Sequence, residues 1–433
     1  MARAKHRYSL TLTLALGVFT PGLGHADDKD LAPYKMLRSL EFVQDSVVLG
    51  DHSAEEMQRF MLSTIDDRFR AADKSVFDDV RNVDAALIYT MSGGNPATLE
   101  FLMARDVNGN FDNRVADVLR KYLNGKGLLV VKTLADTAKE YRDKKIGPYL
   151  SLVAANVMSA KDPKAALKLY DWARLTSPGT IVEEAALRRS MALATEAKMV
   201  PESLAYAQRY ARRFLHSPYA SQFADLFVAL VVDHNTDIKP QDIVDTLAFM
   251  DGPRQREVYL RIARRATIAG KNDLARMASA QAAAIPSDGS DSFNQLANFY
   301  GGVANVSTPK VDDAVHDINQ IPEGELNPQD RALRDAAKLV ADEVTRLPDP
   351  QSLTQASPTK PESQEIQHNG AAGVETPGTK SPAAAVVDQG VATQVAQTRE
   401  GGGQDADSSF NTFVTTSQSK LDALDGLLKQ EGH

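Results

Sequence analysis

Apolar residues recur at helical spacing almost throughout residues 34–347. The clearest stretch follows Pro201, where the apolar positions are separated by steps of three, three, one and three residues: Leu204, Ala207, Tyr210, Ala211 and Phe214. Such steps place side chains on one face of a helix with 3.6 residues per turn. Because no long alternating run rich in Val, Ile and Thr interrupts this pattern, the sequence predicts an all-α fold.

The helical pattern also repeats. An earlier stretch after Pro163 carries a similar apolar stripe: Ala166, Leu169, Tyr170 and Ala173. Pro163 matches Pro201, and Trp172-Ala173-Arg174 matches Tyr210-Ala211-Arg212, each at a shift of 38 residues. A third, Ala-rich helix is predicted over 271–285, ended by Pro286. A period of this size predicts stacked helical hairpins in a tetratricopeptide-like (TPR-like) solenoid over 27–347, and the concave surfaces of such solenoids generally bind proteins.

The first 26 residues have the layout of a cleavable secretory signal peptide. A basic start is followed by a short apolar stretch, 10–19, and by small residues before Asp27. This stretch is shorter than the roughly 20 residues that a transmembrane helix requires. The protein contains no cysteine, so its folding needs no disulfide formation. Together these features predict a mature protein in the periplasm.

Composition excludes several classes of function. The chain has 49 Lys and Arg against 57 Asp and Glu, a formal net charge of -8, which does not favour nucleic-acid binding. The absence of cysteine removes thiolate zinc sites, iron–sulfur clusters and cysteine nucleophiles. No hydrolase, nucleotide-binding or zinc-protease motif is present, and His52, His216, His234 and His316 lie far apart in sequence. We therefore expect no catalytic residue, metal ion or cofactor.

One loop partly imitates a calcium site. Asp106, Asn108, Asn110 and Asp112 place oxygen atoms at alternate positions, as an EF-hand does. An EF-hand also needs Gly at its sixth position and Glu at its twelfth, where this chain has Phe111 and Asp117. The sequence favours a polar turn followed by a helix at this point.

The composition changes after Leu347 to a Pro-, Ser-, Thr-, Gln- and Gly-rich linker, predicted over 348–408. An amphipathic helix is predicted beyond it, over 409–430. Its apolar residues follow a coiled-coil-like spacing and are the candidate partner-binding residues: Phe410, Val414, Leu421, Leu424 and Leu428. The same stripe could instead fold back onto the helical domain or lie on a membrane surface, although the helix has few basic residues.

The sequence resembles the MotC family, periplasmic flagellar motility proteins of rhizobia and their relatives. The resemblance spans nearly the whole chain and is carried by the stretch Leu31-Ala32-Pro33-Tyr34-Lys35-Met36-Leu37-Arg38-Ser39-Leu40, by Val43-Gln44-Asp45 and Gly50-Asp51-His52, by the helical core and by the Pro-rich tail. It implies a periplasmic, non-enzymatic factor required for motor rotation, with the periplasmic part of the stator protein MotB as its partner and no cofactor. The alternatives are a peptidoglycan-acting envelope enzyme, because superhelical α-domains also occur in lytic transglycosylases, or an unrelated periplasmic adaptor.

Overall fold

The computed structural model describes residues 31–286 and 291–347. Within these ranges the chain forms 17 α-helices, three short 3-10 helices and no β-strand, so the predicted all-α class is confirmed. None of the described helices is both long and apolar enough to cross a membrane. The predicted signal peptide, linker and C-terminal helix lie outside the described residues.

The α-helices follow one another with short connections. In chain order they are α1 Pro33–Val48, α2 Ala54–Ala71, α3 Val80–Met91, α4 Pro96–Arg105, α5 Asn113–Leu123, α6 Val131–Glu140, α7 Gly147–Met158, α8 Pro163–Thr176, α9 Ile181–Glu196, α10 Val200–Arg213, α11 Ala220–Asp233, α12 Pro240–Leu247, α13 Gly252–Ile268, α14 Asn272–Ala284, α15 Asp291–Asn305, α16 Val311–Asn319 and α17 Pro328–Thr345. The 3-10 helices are Lys74–Asp78, Gly127–Val130 and Glu323–Glu325.

Local sequence signals set many helix starts. The Asp162 carboxylate accepts a hydrogen bond from the backbone N–H of Ala165 at 3.0 Å, and Pro163 follows at the first helical position of α8. The side chain satisfies one of the free N–H groups at the helix end, and the proline ring fixes a helical φ where no N–H is needed. The proline of α10, Pro201, occupies the corresponding first turn. The helix starts that the prolines predicted are therefore confirmed.

Consecutive helices pack against each other as stacked hairpins. The series α7 to α10 and the series α13 to α16 are unbroken, each helix lying against the next. The odd-numbered helices also touch one another in turn, from α7 through α9, α11, α13 and α15 to α17. A single hairpin cannot bury both of its faces, so this second set of contacts completes the burial. The predicted stacking of helical hairpins is confirmed.

A buried polar group ties the last odd-numbered helices together. The Asp330 carboxylate, at the start of α17 and 2% exposed, accepts a hydrogen bond from Arg264 Nε of α13 at 2.8 Å. It also accepts one from the Tyr300 hydroxyl of α15 at 3.2 Å. A carboxylate out of water requires such partners, and here they come from two neighbouring layers.

The buried apolar side chains form two clusters. The N-terminal core includes Leu37 and Leu40 of α1 and extends through the side chains of α7 to Val157. The C-terminal core begins with Val48 of α1 and Ala155 of α7 and extends to Ala341 of α17. Helices α1 and α7 thus contribute to both cores and join them.

Helix α1 crosses several layers of the stack. Near its start, the backbone N–H of Tyr34 donates to the Asn82 side-chain oxygen of α3 at 3.1 Å. In its middle, Glu41 accepts hydrogen bonds from Lys145 at 3.1 Å and from the Tyr149 hydroxyl of α7 at 3.2 Å. These contacts hold the inward face of α1 across the helices of the N-terminal core.

The C-terminal end of α1 reaches the second core. The Asp45 carboxylate accepts a hydrogen bond from the backbone N–H of Ile181, the first residue of α9, at 3.0 Å. Gly50 then follows with a φ of +111°, and a Cβ atom there would lie 2.7 Å from the Cβ of His216. Glycine is therefore required at this position for two reasons, the positive φ and the close approach of the His216 side chain.

Asp45 is held in an environment that disfavours its charge. Burial raises its pKa from 3.8 to about 6, with the nearby Glu41 adding to the rise and the N–H of Ile181 opposing it. Because the pKa of the folded state lies above that of an ordinary aspartate, protonated Asp45 stabilises the fold at low pH. This contribution is lost as the pH rises from about 4 through about 6.

We predict that Asp45→Asn is more stable than the natural chain at pH 8, because the amide keeps an acceptor for Ile181 and removes the buried charge. The gain in free energy of unfolding is expected to be about 1 kcal/mol, reduced by the partial solvation of this group. Urea unfolding followed by circular dichroism from pH 4 to 8 measures it, and the difference should vanish near pH 4.

Asp51→Asn is the control for the pH experiment, because its hydrogen bond from the Ser53 hydroxyl lowers the pKa of the Asp51 carboxyl. Its variant should therefore be less stable than the natural chain at neutral pH and approach it at acidic pH. Stability curves of Asp45→Asn and the natural chain that run parallel across this range would contradict the role of Asp45.

Gly50→Ala is expected to lower the free energy of unfolding by about 2–3 kcal/mol, because the methyl group meets His216 and the backbone is strained. Gly93→Ala is the matched control, since Gly93 also has a positive φ, +89°, but no atom lies within 4 Å of its added Cβ. Gly93→Ala should lower the free energy of unfolding by about 1 kcal/mol. Equal losses of unfolding free energy in the two variants, measured by urea unfolding, would show that the contact with His216 does not contribute to the destabilisation.

Candidate interaction surface

The partner-binding residues predicted on the C-terminal helix lie outside the described residues: Phe410, Val414, Leu421, Leu424 and Leu428. The structure therefore does not place them, and they stay a prediction. A candidate surface can be built only from the residues that the structure describes, 31–286 and 291–347.

The loop that resembles an EF-hand uses its oxygen atoms within the protein. The two carboxylate oxygens of Asp106 accept hydrogen bonds from the backbone N–H groups of Asn110 and Phe111 at 2.9 and 3.0 Å. The side chains of Asn108 and Asn110 donate to the carboxylate of Asp78 at 3.3 and 3.1 Å. The loop is a polar turn, and α5 follows it as the sequence predicted.

Phe111, which stands where an EF-hand needs glycine, is part of the N-terminal core. Its ring lies 5.5 Å from that of Phe77, centroid to centroid, and it is 3% exposed. Across the described ranges, no group of three or more His, Asp and Glu side chains is arranged to hold a metal ion. The four histidines singled out in the sequence include His52, which is exposed beside Glu55, and His216, which packs against Gly50.

The outward face of α1 carries a basic and apolar stripe. We define the α1 stripe as Lys35, Arg38, Phe42 and Leu49, which follow one another at steps of three, four and seven residues. These steps keep the four residues on one side of the helix and its C-terminal end. Phe42 is 73% exposed and Leu49 is 54% exposed.

The opposite face of α1 explains why the stripe points outward. Leu37, Leu40 and Val48 are at most 1% exposed and belong to the two cores. Gln44 lies on the same inward face and donates from its side chain to the Ser92 carbonyl at 2.9 Å. Because these inward residues fix the rotation of α1, residues about half a turn away must face solvent.

The cations of the α1 stripe have no ion-pair partner among the described residues. The nearest acidic residues along the helix are committed elsewhere, Glu41 to Lys145 and Asp45 to the N–H of Ile181. Together with Ser39 and Val43, the side chains of Lys35, Arg38 and Phe42 line an open depression on the surface. The site therefore offers positive charge beside an exposed aromatic ring.

The adjoining helix α2 extends the exposed apolar surface. Met57 is 50% exposed and Phe60 is 65% exposed, whereas Ile65 and Phe69 of the same helix are buried in the N-terminal core. Helix α2 packs against α1 directly after the turn that contains Gly50. Large apolar side chains are thus exposed on both helices of the first hairpin.

A second exposed apolar stripe occurs on α17, the last described helix. Its inward positions are buried, at steps of four, three and four: Asp330, Arg334, Ala337 and Ala341. Its outward positions include Leu339 and Val340, which are 72% and 44% exposed, and the stripe continues to Leu347. Helix α17 packs against α15 and α16, away from the helices that α1 contacts.

The spacing of the α1 stripe is visible in the sequence, but its meaning is not. Two apolar sets alternate along α1, one containing Leu37 and Leu40 and the other containing Phe42 and Leu49. Hydrophobicity alone does not tell which set faces the core, because both contain large side chains. Only the packing of α1 against α3, α7 and α9 decides which of the two sets faces the core.

Comparison with known proteins gives a consistent result along the chain. The family model described as "Chemotaxis protein MotC" matches residues 1–433. A curated protein of Rhizobium meliloti (strain 1021), also named Chemotaxis protein MotC, is 50% identical over 425 residues, covering 98% of this chain and 97% of the relative. No solved structure matches the chain. With both the model and the relative covering nearly every residue, this chain belongs to the MotC family of chemotaxis proteins.

Proposed function

We propose that this MotC-family protein is a non-enzymatic periplasmic factor required for rotation of the flagellar motor, and that it acts by binding the periplasmic part of the stator protein MotB. The observation that carries the motility assignment is the family match over residues 1–433, together with the 50% identity to a named chemotaxis protein.

The proposed compartment rests on the sequence of the N-terminus. Residues 1–26 combine a basic start, a short apolar stretch and small residues before Asp27. A chain without cysteine folds without oxidation after export. The periplasmic part of a stator protein is accessible from this compartment, which is the condition for direct binding.

The proposed mode of action rests on the architecture. Stacked hairpins present extended surfaces that single helices cannot, and surfaces of this kind are generally used to bind proteins. The first hairpin exposes Phe42 and Phe60. Phe42 lines a depression with two cations that have no ion-pair partner among the described residues. Aromatic side chains and arginine are enriched in protein interfaces, with charged groups mainly at the rim.

Deletion of the gene in its native host tests the motility assignment. We expect flagellar filaments to be present by electron microscopy but tethered cells not to rotate, because the proposed defect lies in the motor and not in assembly. Expression of the full-length chain should restore rotation, and a chain lacking residues 1–26 should not. Normal rotation of the deletion strain would contradict the proposal.

Direct binding tests the proposed partner. The mature full chain, residues 27–433, is expected to bind the purified periplasmic region of MotB with a Kd in the micromolar range or tighter, as measured by isothermal titration calorimetry. A cell-wall zymogram of the same preparation is the control for the enzymatic alternative and should stay blank. Cleared bands in the zymogram would favour a peptidoglycan-acting enzyme instead.

A further inference from the structure

We propose that the α1 stripe is the docking site for an acidic, amphipathic segment of a protein partner. This inference rests on the proposed function, under which the segment belongs to the periplasmic region of MotB. It adds the surface on this chain and the chemistry of the segment that the surface takes. Helix α1 combines exposed apolar area, an inward face fixed by packing, and positive charge without an ion-pair partner among the described residues.

The apolar part of the stripe offers an anchor. Phe42 is 73% exposed, and a phenylalanine side chain is among the largest apolar surfaces that a protein can bury on binding. Leu49 lies further along the same side, at a step of seven residues, and is 54% exposed. Residues at this spacing contact a partner helix that lies along α1.

The stripe is held rigidly before any partner binds. The inward face of α1 is buried in two cores, and its polar side chains are bonded to neighbouring elements, Gln44 to Ser92 and Asp45 to Ile181. A helix fixed in this way loses little backbone entropy on association, so the ordering cost is mainly that of the exposed side chains. Affinity can therefore come from few contacts.

The charged part of the stripe favours a partner segment with negative charge. Lys35 and Arg38 lie in the first two turns of α1, where no acidic residue is present in the first turn. The N-terminal end of a helix carries partial positive charge, so basic side chains there are unfavourable for the isolated helix. Neither residue forms an ion pair in the described part of the chain. Carboxylates of a partner would pair with both cations and offset their unfavourable position near the helix start.

A partner protein fits these properties better than a second copy of this chain or an anionic membrane. A second copy of this chain in a two-fold dimer would bring the same stripe from both sides, which adds cations and no acidic residue. An anionic membrane would gain little from two cations on a chain with a net charge of -8. An acidic segment with apolar residues complements both halves of the stripe.

The test uses two variants of the mature full chain, Phe42→Ser and Lys35→Glu/Arg38→Glu. Each is titrated with the purified periplasmic region of MotB at low and at physiological ionic strength. We expect Phe42→Ser to weaken binding about tenfold or more at both ionic strengths. The charge reversal should weaken it about tenfold at low ionic strength, and the difference should shrink as salt is added.

Stability and matched substitutions elsewhere provide the controls. The charge reversal should leave the Tm unchanged or slightly raised, because acidic side chains are favoured near a helix start. Leu339→Ser on α17 replaces an apolar residue of similar exposure, 72%, away from α1. Lys164→Glu/Lys168→Glu reverses two exposed lysines on α8. Both controls are expected to bind like the natural chain.

The outcomes separate this inference from the proposed function. If the natural chain binds MotB and both stripe variants bind equally well, the stripe is not the docking site and the proposed function stands. If the natural chain does not bind MotB, the proposed partner is wrong. Self-association that is lost in Phe42→Ser, by sedimentation, or binding to phosphatidylglycerol vesicles that is lost in the charge reversal, with MotB binding unchanged, would assign the stripe to another occupant.

Discussion

The inward packing of α1 is the interaction on which the rest of the structure depends. This helix supplies Leu37 and Leu40 to the N-terminal core and Val48 to the C-terminal core. Its polar contacts run in the same direction, from Asn82 of α3 to Ile181 at the start of α9. A stack of hairpins makes mainly nearest-neighbour contacts and would otherwise have few links between distant layers. Helix α1 supplies such links at the N-terminal end.

The packing of α1 gives its two faces different roles, one in the fold and one in the proposed binding. The inward face of α1 is occupied by two cores. Its opposite face carries apolar and basic side chains that are exposed among the described residues. Helix α1 lies against α3, α7 and α9 and so occupies part of the surface of these helices. The proposed docking site therefore lies on the outward face of the first hairpin.

Much of the fold follows from local signals. Pro163 and Pro201 predicted the starts of α8 and α10. Most residues of the apolar stripes after them are buried, and Ala166, Ala207 and Tyr210 are 0% exposed. Leu169 and Leu204 are half-buried against the C-terminal core. These predictions succeed because capping and helical periodicity act within a few residues of the chain. The polar turn at the EF-hand-like loop also follows from a local feature, because Phe111 stands at the sixth position where a calcium loop needs glycine.

The contacts that place the candidate surface were not predictable in this way. Asp45 meets Ile181, and Gly50 meets His216, across more than 130 residues of chain, and no periodicity links such positions. The sequence by itself determined the all-α class, many helix starts and the period of the hairpins, because each depends on neighbouring residues. Only the tertiary structure decided which face of α1 is buried and which is left for a partner, because that choice depends on how distant layers pack.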